Sequence, residues 1–387
     1  MNKTIAIVAS SEYFDEYSLY KKGCGGSETW ALQLGYAFTN IGYNVIIFVN
    51  DMQYHIATTF NNIEFANYQD ILLILKKRKI DYVIISRIID TILYHYLVSE
   101  NIPFYYMIHD ILPIIRDENG ANTINVKYEY RSYLENVKNI VLLSDFHLNN
   151  FIDLFPEEKF VNKCRIIPNA IDFNLFKGIN ILNSDRDNSI LVSSTLERGL
   201  PQIIRDIAPL VRKEIPDFKV YVAGYNDYKE YKELAEKYKD YVVYLGNLSK
   251  TDLYKEMVKH KIWFYPGCFP ETFCITAIEN VFCNVEVVSS MNYGLLTTLY
   301  PMQYNKVDVN IHDFGTYNFG DDVENCIDKK FTKTTNKKFA DAIINAIKTY
   351  NDPYKVNVRR GYIDWVANTY NWDRVAKMWD YLFLTTK

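Results

Sequence analysis

The chain has 387 residues, 49% of them hydrophobic and 23% charged, with a net charge of −4 and a pI near 5.9. That balance excludes a broadly basic nucleic-acid-binding surface and is the composition of a soluble globular enzyme. Single cores seldom grow past about 250–300 residues, so two domains are expected.

The 33 Tyr and 22 Phe, with abundant Asn, Ile and Lys, read as the coding drift of an AT-rich genome and not as a function. Six cysteines form no CxxC pair and no ligand-like spacing with His. Reduced thiols in a cytoplasmic protein fit that pattern better than disulfides or zinc. No apolar run reaches membrane-spanning length; the longest, 82–98, carries Arg87 and Asp90. The short apolar stretch 5–9 reads as a first strand and not as a signal peptide, and peripheral membrane contact stays open.

In chain order, the first half alternates β-rich runs with helical periodicity, the signature of a parallel sheet covered on both faces. Strands are expected at 4–9, 44–49, 82–86, 103–108, 139–143 and 165–167, and helices at 27–40, 68–78, 91–97 and 145–155. Residues 172–188 lose periodicity and gather Asn, Asp, Ser and Gly, as a linker does. The alternation then restarts with strands at 189–193, 219–223, 242–245, 262–265 and 285–289. Helices fall between them at 200–213, 228–238, 250–259 and 272–282, and 337–350, 353–368 and 372–383 are all helical. Residues 300–336 resist assignment. The expected architecture is α/β, with two tandem Rossmann-like doubly wound domains facing a cleft. Ligands of such sheets bind outside the carboxyl ends of the strands.

The expected boundaries are 1–172 for an N-terminal domain and 173–188 for the linker, followed by 189–365 for a C-terminal domain and 366–387 for terminal helix.

Four stretches carry chemistry. The strand ending at Tyr265 runs through a Pro/Gly turn into a helix expected to start near Thr272, with Glu271 and Glu279 in apolar company. On one continuous helix their eight-residue spacing gives about 12 Å of axial rise and leaves them within about 80° of each other. Buried carboxylates need partners, and hydroxyl groups of a ligand are one solution. A helix N-cap plus a surface Glu is the plainer alternative.

Gly23-Cys24-Gly25-Gly26-Ser27-Glu28 stands at the mouth of the first helix, where glycine amides approach an anion closely. Ser27 is the expected N-cap. Glu28 stands where the third Gly of GxGxxG would fall, which argues against a nicotinamide enzyme, although Asp51 sits where one would hold ribose. His109-Asp110 follows a strand directly, so His109 points into a crevice or makes a structural hydrogen bond, and Asp110 is placed to tune its pKa. In Ser193-Ser194-Thr195-Leu196-Glu197-Arg198-Gly199-Leu200 a strand ends in hydroxyls, and Arg198 is placed either to reach a diphosphate or to lie solvated.

Taken in order, Gly25-Gly26-Ser27-Glu28, Ile167-Pro168-Asn169-Ala170-Ile171-Asp172, Arg198-Gly199-Leu200 and Pro270-Glu271-Thr272-Phe273 with Glu279 resemble the GT-B glycosyltransferases of family 4 and their E-x7-E motif. The likeness spans nearly the whole chain and implies a retaining, metal-independent glycosyltransferase of glycan biosynthesis with no cofactor. Its donor would be a nucleotide-diphosphate sugar, UDP- or GDP-linked. The acceptor would be a glycan, a lipid-linked sugar or a small molecule, and nucleic acid is not a partner. The resemblance also implies that the C-terminal helices cross back to the N-terminal domain.

Residue by residue, the resemblance gives Glu271 the donor-sugar hydroxyls and Glu279 the ribose. It gives the diphosphate to Arg198 with the amides of Gly25 and Gly26, and a place facing the transferred sugar to His109. Asn247 and Leu248 would pack on the base, Gly294-Leu295-Leu296 would turn near the phosphates, and Thr272, Phe273 and Cys274 would line the donor. The family commonly has two basic residues around the phosphate loop; here Arg198 stands alone beside Ser193 and Ser194. Asp185-Arg186-Asp187 has the spacing of a metal-binding DxD but reads as a solvated linker cluster, and Gly320-Asp321-Asp322 lacks the spacing. Alternatives are a nucleotide-sugar-binding protein without turnover, a GT-B epimerase, a phosphorylase and, from the Asp51 position, a dehydrogenase.

Overall fold

The structure is a computed structural model that describes residues 2–9, 14–15, 17–18, 25–50, 58–60, 62–117, 122–123, 129–224, 229–314 and 330–386. Gly23, Cys24, Asp51 and the Gly320-Asp321-Asp322 run lie outside the described residues. Two compact units emerge. Unit 1 takes the described chain up to Asp172 and then Tyr370 onward; unit 2 takes Phe173–Thr369.

Unit 1 is built on an eight-stranded sheet. Its strands are β1 (Thr4–Ala9), β2 (Asn44–Val49), β3 (Thr58–Phe60), β4 (Ile63–Asn67), β5 (Tyr82–Ser86), β7 (Phe104–Met107), β10 (Ile140–Leu142) and β11 (Cys164–Ile166). The order across the sheet is β11-β10-β7-β5-β1-β2-β4-β3, all parallel except the β3–β4 hairpin. A small sheet of β6 (Ile88–Asp90), β8 (Ile114–Arg116) and β9 (Asn122–Thr123) sits apart from it. β1 and β5 are wholly apolar over their centres because helices cover both faces, and Ile5, Ile7, Val83 and Ile84 have no exposure. The chain winds one way from β1 through β2 to β4 and the other way from β5 to β11, so the topological switch point falls between β1 and β5.

Unit 2 repeats the principle with five parallel strands in the order β14-β13-β12-β15-β16. These are β12 (Asp187–Val192), β13 (Lys219–Gly224), β14 (Val242–Asn247), β15 (His260–Tyr265) and β16 (Glu286–Ser289). Here the switch point lies between β12 and β15, whose register pairs Ile190 with Ile262. The core fills with Ile190, Ile203, Val220, Ile262, Phe264 and Phe339.

Residues 173–188, expected as a linker, belong to unit 2. A 3-10 turn at Phe173–Phe176 buries Leu175 and Phe176, and Phe176 stacks on Tyr254 with centroids 4.0 Å apart. Periodicity fails there because the packing comes from single side chains and not from a repeating face. In the Asp185-Arg186-Asp187 cluster the two carboxylates are exposed, as expected of a solvated cluster, but the arginine is not. Arg186 is buried and donates to the carbonyls of Ile181, Asn183, His260 and Cys283, while Asp187 opens β12.

The last helix, Trp372–Thr385, packs in unit 1 against the first helix, Gly26–Asn40. Trp379 lies 6.4 Å from Trp30, 6.3 Å from Tyr105 and 5.8 Å from Phe383, and Phe383 stacks on Tyr82 at 4.3 Å. Tyr43 donates to Asp380 at 2.5 Å. Trp379→Ala is expected to cost about 3–5 kcal/mol by cavity formation, read as a fall in the urea midpoint. Tyr381→Ala, at an exposed position of the same helix, should stay within about 0.5 kcal/mol. Equal effects would mean that the helix adds no core to unit 1.

Candidate functional site

Because β12 and β15 diverge into opposite crossovers, the loops that follow them lie side by side at the carboxyl edge of unit 2. After β12 the chain makes a short 3-10 turn, Leu196–Arg198, and ends it on Gly199 at φ 93. A Cβ at Gly199 would stand 3.1 Å from Pro266 and 3.3 Å from Cys268, so glycine also lets the two loops close on each other. Arg198 then meets Glu271, with Nε 3.2 Å from Oε1. Tyr265, the last residue of β15, donates its hydroxyl to the same oxygen at 2.7 Å. The Arg198 guanidinium also lies 3.6 Å over the Phe269 ring and pairs with Glu197. Thr195 fixes Glu197 through a 2.6 Å hydrogen bond. Burial opposes the charge of Arg198, but Glu271, Tyr265 and Glu197 together raise its pKa above the ordinary guanidinium value. Burial and the Glu271 carboxylate push the Tyr265 phenol well up, so it stays a donor.

The helix after β15 starts at Ile275, not near Thr272, and runs to Phe282. Glu271 therefore belongs to the loop, and the two carboxylates do not share one helical face. The start is late because Pro270 precedes a close turn, in which Gly294 N donates to the Glu271 carbonyl at 2.9 Å, and because Cys274 sits at φ 77. Cys274 gives no side-chain cap, which leaves the first-turn amides without one. Its thiol is pushed well above the usual range by burial and by Glu271, so it is not a nucleophile. Phe273 and Thr272 are buried, and the Phe273 carbonyl accepts from Thr298 at 2.5 Å. Those two residues offer a ligand their backbone more than their side chains.

Glu279 lies inside that helix with its side chain 1% exposed. Lys250 Nζ and the Tyr254 hydroxyl both donate to its Oε1, at 2.6 and 2.7 Å. Lys250 is the first residue of the helix Lys250–Met257, capped by Ser249, and it follows Gly246-Asn247-Leu248 at the end of β14. The ion pair thus ties the β14 loop to the helix after β15. Asn247 is exposed and Leu248 half-buried. The sequence reading missed Lys250, Tyr254, Tyr265, Glu197 and Phe269. Tyr265 was accessible to it as the last residue of a strand; Lys250 was not, since nothing local marks a lysine that reaches a carboxylate 29 positions on.

In unit 1, Gly25 is the N-cap of the helix Gly26–Asn40, and Ser27, expected as the cap, lies inside it with its hydroxyl on Glu28. Neither flanking position supplies a side-chain cap, so the Gly25-Gly26 amides remain the helix mouth. His109 follows β7 and packs edge-on to Trp30 at 4.9 Å. Its pKa is lowered to about 3, by burial and then by the positive charge of Arg87. Asp110, expected to tune that pKa, is instead engaged by Arg87 in a bidentate pair at 2.7 and 3.2 Å.

Residues 179–303 match the model of the family Glycosyl transferases group 1. That span lies in unit 2 and contains Arg198, Lys250, Glu271 and Glu279. Solved structures resemble the chain along its whole length. A glycosyltransferase from Rickettsia africae is 15% identical over 100% of both chains, with a TM-score of 0.68. An α,α-trehalose 6-phosphate synthase from Burkholderia multivorans is 10% identical over 100% of this chain and 99% of that one, with a TM-score of 0.66. An Anabaena protein in complex with UDP and glucose is 11% identical over 97% and 98%, with a TM-score of 0.59. No curated protein matches by sequence. The fold is GT-B, and the domain match with these neighbours supports an enzyme, a nucleotide-sugar-dependent glycosyltransferase.

Two outcomes follow from this geometry. A Cβ at Gly294 would stand 2.5 Å from the carbonyl oxygens of both Glu271 and Thr272, so Gly294→Ala should displace the Glu271 loop. The expected cost is about 1–3 kcal/mol, read by thermal unfolding, and an unchanged Tm would show that the loop yields freely. The second concerns pH. His109 is lowered to about 3 and His147, also by burial, to about 4. Unfolded imidazoles titrate near ~6.5, so between those values the unfolded chain binds more protons and stability rises with pH. The contribution is complete above the unfolded value and is lost as pH falls toward about 3. In urea titrations from neutral to acid pH, His109→Gln should show a shallower fall than the parent. An identical fall would mean that His109 titrates normally.

Proposed function

We propose that the chain transfers a sugar from a nucleotide-diphosphate sugar to an acceptor hydroxyl, with retention at the anomeric carbon and without a metal. The reading is carried by one observation: Arg198 and Glu271 meet at the switch point of a sheet that matches a glycosyltransferase model. UDP is the favoured nucleotide, with GDP second, because neighbouring structures hold UDP with glucose or UDP-2-fluoro glucose.

In this reading Glu271, partly exposed and already a hydrogen-bond acceptor, takes hydroxyls of the donor sugar. Arg198 moves its guanidinium from the carboxylates to the diphosphate, where the uncapped amides after Cys274 add donors. Charge grows on the leaving diphosphate as its bond to the sugar breaks, and these groups stabilise that growth. The acceptor oxygen forms the new bond on the same face, and its proton passes to the departing diphosphate. Glu279 takes the ribose. Since its side chain is nearly sealed, nucleotide binding includes displacement of the Lys250 ammonium from its mouth. Asn247 and Leu248 lie by the base, and Thr272, Phe273 and Cys274 supply backbone. The same reading gives unit 1 the acceptor, gives His109 a role as a neutral hydrogen-bonding group toward the transferred sugar, and gives Gly25 and Gly26 a role toward the diphosphate. The protein would work in the cytoplasm on a glycan, lipid-linked or small-molecule acceptor.

Thermal shifts with UDP-, GDP-, ADP- and TDP-sugars select the donor; a ligand at a hundredfold excess over Kd adds about 2.7 kcal/mol. With that donor, Glu271→Ala should abolish transfer with a modest loss of stability, and Glu279→Ala should mainly raise the nucleotide Kd. Full transfer by both variants would overturn the assignment, and a shift with NAD alone would favour a dehydrogenase.

A further inference from the structure

Arg87 follows β5 at the switch point of unit 1 and holds a left-handed backbone, φ 70, that non-glycine residues adopt at a cost of roughly 1 kcal/mol or more. The surroundings enforce it. Arg87 N donates to Met107 O at 2.9 Å, and the Tyr106 hydroxyl donates to Arg87 O at 3.0 Å while accepting from Ile114 N at 3.3 Å. The side chain is thereby aimed at Asp110, just beyond the end of β7, and the loop after Asp110 is fixed by Asn150 donating to Ile111 O at 2.9 Å. Both partners reach the surface, with side-chain exposures of 42% for Arg87 and 26% for Asp110. A strained, braced and half-open ion pair at the carboxyl ends of parallel strands is placed where such sheets bind ligands.

We propose that the Arg87–Asp110 pair is the acceptor-recognition element of unit 1 and selects a neutral, polyhydroxylated acceptor over one bearing a phosphate or carboxylate. The inference rests on the transferase reading and adds the acceptor's chemical class to it. The charges decide the class. Arg87 is neutralised by a bidentate carboxylate, and the adjacent imidazoles of His109 and His147 are uncharged at neutral pH, so among these described side chains the pair offers an anion no net attraction. An anionic acceptor faces the fixed charge of Asp110 whether it takes the remaining Arg87 N–H groups or displaces the carboxylate from them. Sugar hydroxyls need no such exchange, because they donate to a carboxylate and accept from a guanidinium that stay paired.

The test compares matched acceptors, glucose, mannose and N-acetylglucosamine against their 6-phosphates, with the donor chosen by thermal shift. The full chain should favour the neutral sugars by about tenfold or more in kcat/KM, the scale of one displaced charge contact. Asp110→Asn removes the competing carboxylate and should shrink or reverse that ratio, acting on the acceptor KM with donor Kd unchanged. A purely structural pair would lower both acceptor classes alike and leave the ratio where it was, which overturns the proposal. So does preference of the unaltered protein for the 6-phosphates. Donor hydrolysis without acceptor reports separately on the transferase reading, so that reading can stand while this assignment falls.

Discussion

The ion pair between Arg198 and Glu271 is the constraint that joins the two strand-end loops of unit 2 and so sets the geometry of the candidate site. Its partners come from loops 73 positions apart, brought together only because β12 and β15 are neighbours that send their crossovers in opposite directions. Two glycines nearby permit that closure. Gly199 turns left-handed so that its loop meets Pro266 and Cys268, and Gly294 lies against the Glu271 and Thr272 carbonyls where a methyl group does not fit. Tyr265 and Phe269 supply the dipole and the ring face that a partly desolvated pair needs to persist.

The second carboxylate is prepared differently. Glu271 is partly exposed, whereas Glu279 is sealed by Lys250 and Tyr254, with Phe176 stacked behind the tyrosine. A buried carboxylate without those donors would cost several kcal/mol or take up a proton. Lys250 and Tyr254 therefore let Glu279 stay ionised and paired inside the helix.

Much of the fold was legible in the sequence. β1, β2 and β5 are short apolar runs bounded by polar residues, and their limits coincide with the structure because period and burial agree. The order of motifs also placed Glu271 and Arg198 near strand ends. Legibility failed where structure depends on single contacts. The helix start at Ile275 is set by a positive φ at Cys274 and by a hydrogen bond from Gly294, twenty positions later, and neither has a local signature. The stretch 173–188 looked like a linker because Asn and Asp are frequent in it, yet Arg186 pins it to the carbonyls of His260 and Cys283, which only the folded chain supplies. β3 and the small β6-β8-β9 sheet were missed because two- and three-residue strands carry no period to detect, and the five-residue β4 was missed with its hairpin partner.

Every charge singled out at the strand ends already has a partner: Arg198 with Glu197 and Glu271, Lys250 with Glu279, Arg87 with Asp110. A ligand arriving at either sheet edge therefore exchanges contacts and does not fill bare charges, and exchange returns only the difference between old and new partners. Ground-state affinity is kept modest by that arithmetic. A contact that strengthens as charge develops loses nothing to it, because Glu197 and Glu271 carry fixed charge while a leaving diphosphate gains it. In the proposed transferase reading, Arg198, held between two carboxylates, is for that reason better suited to stabilising a transition state than to gripping a substrate.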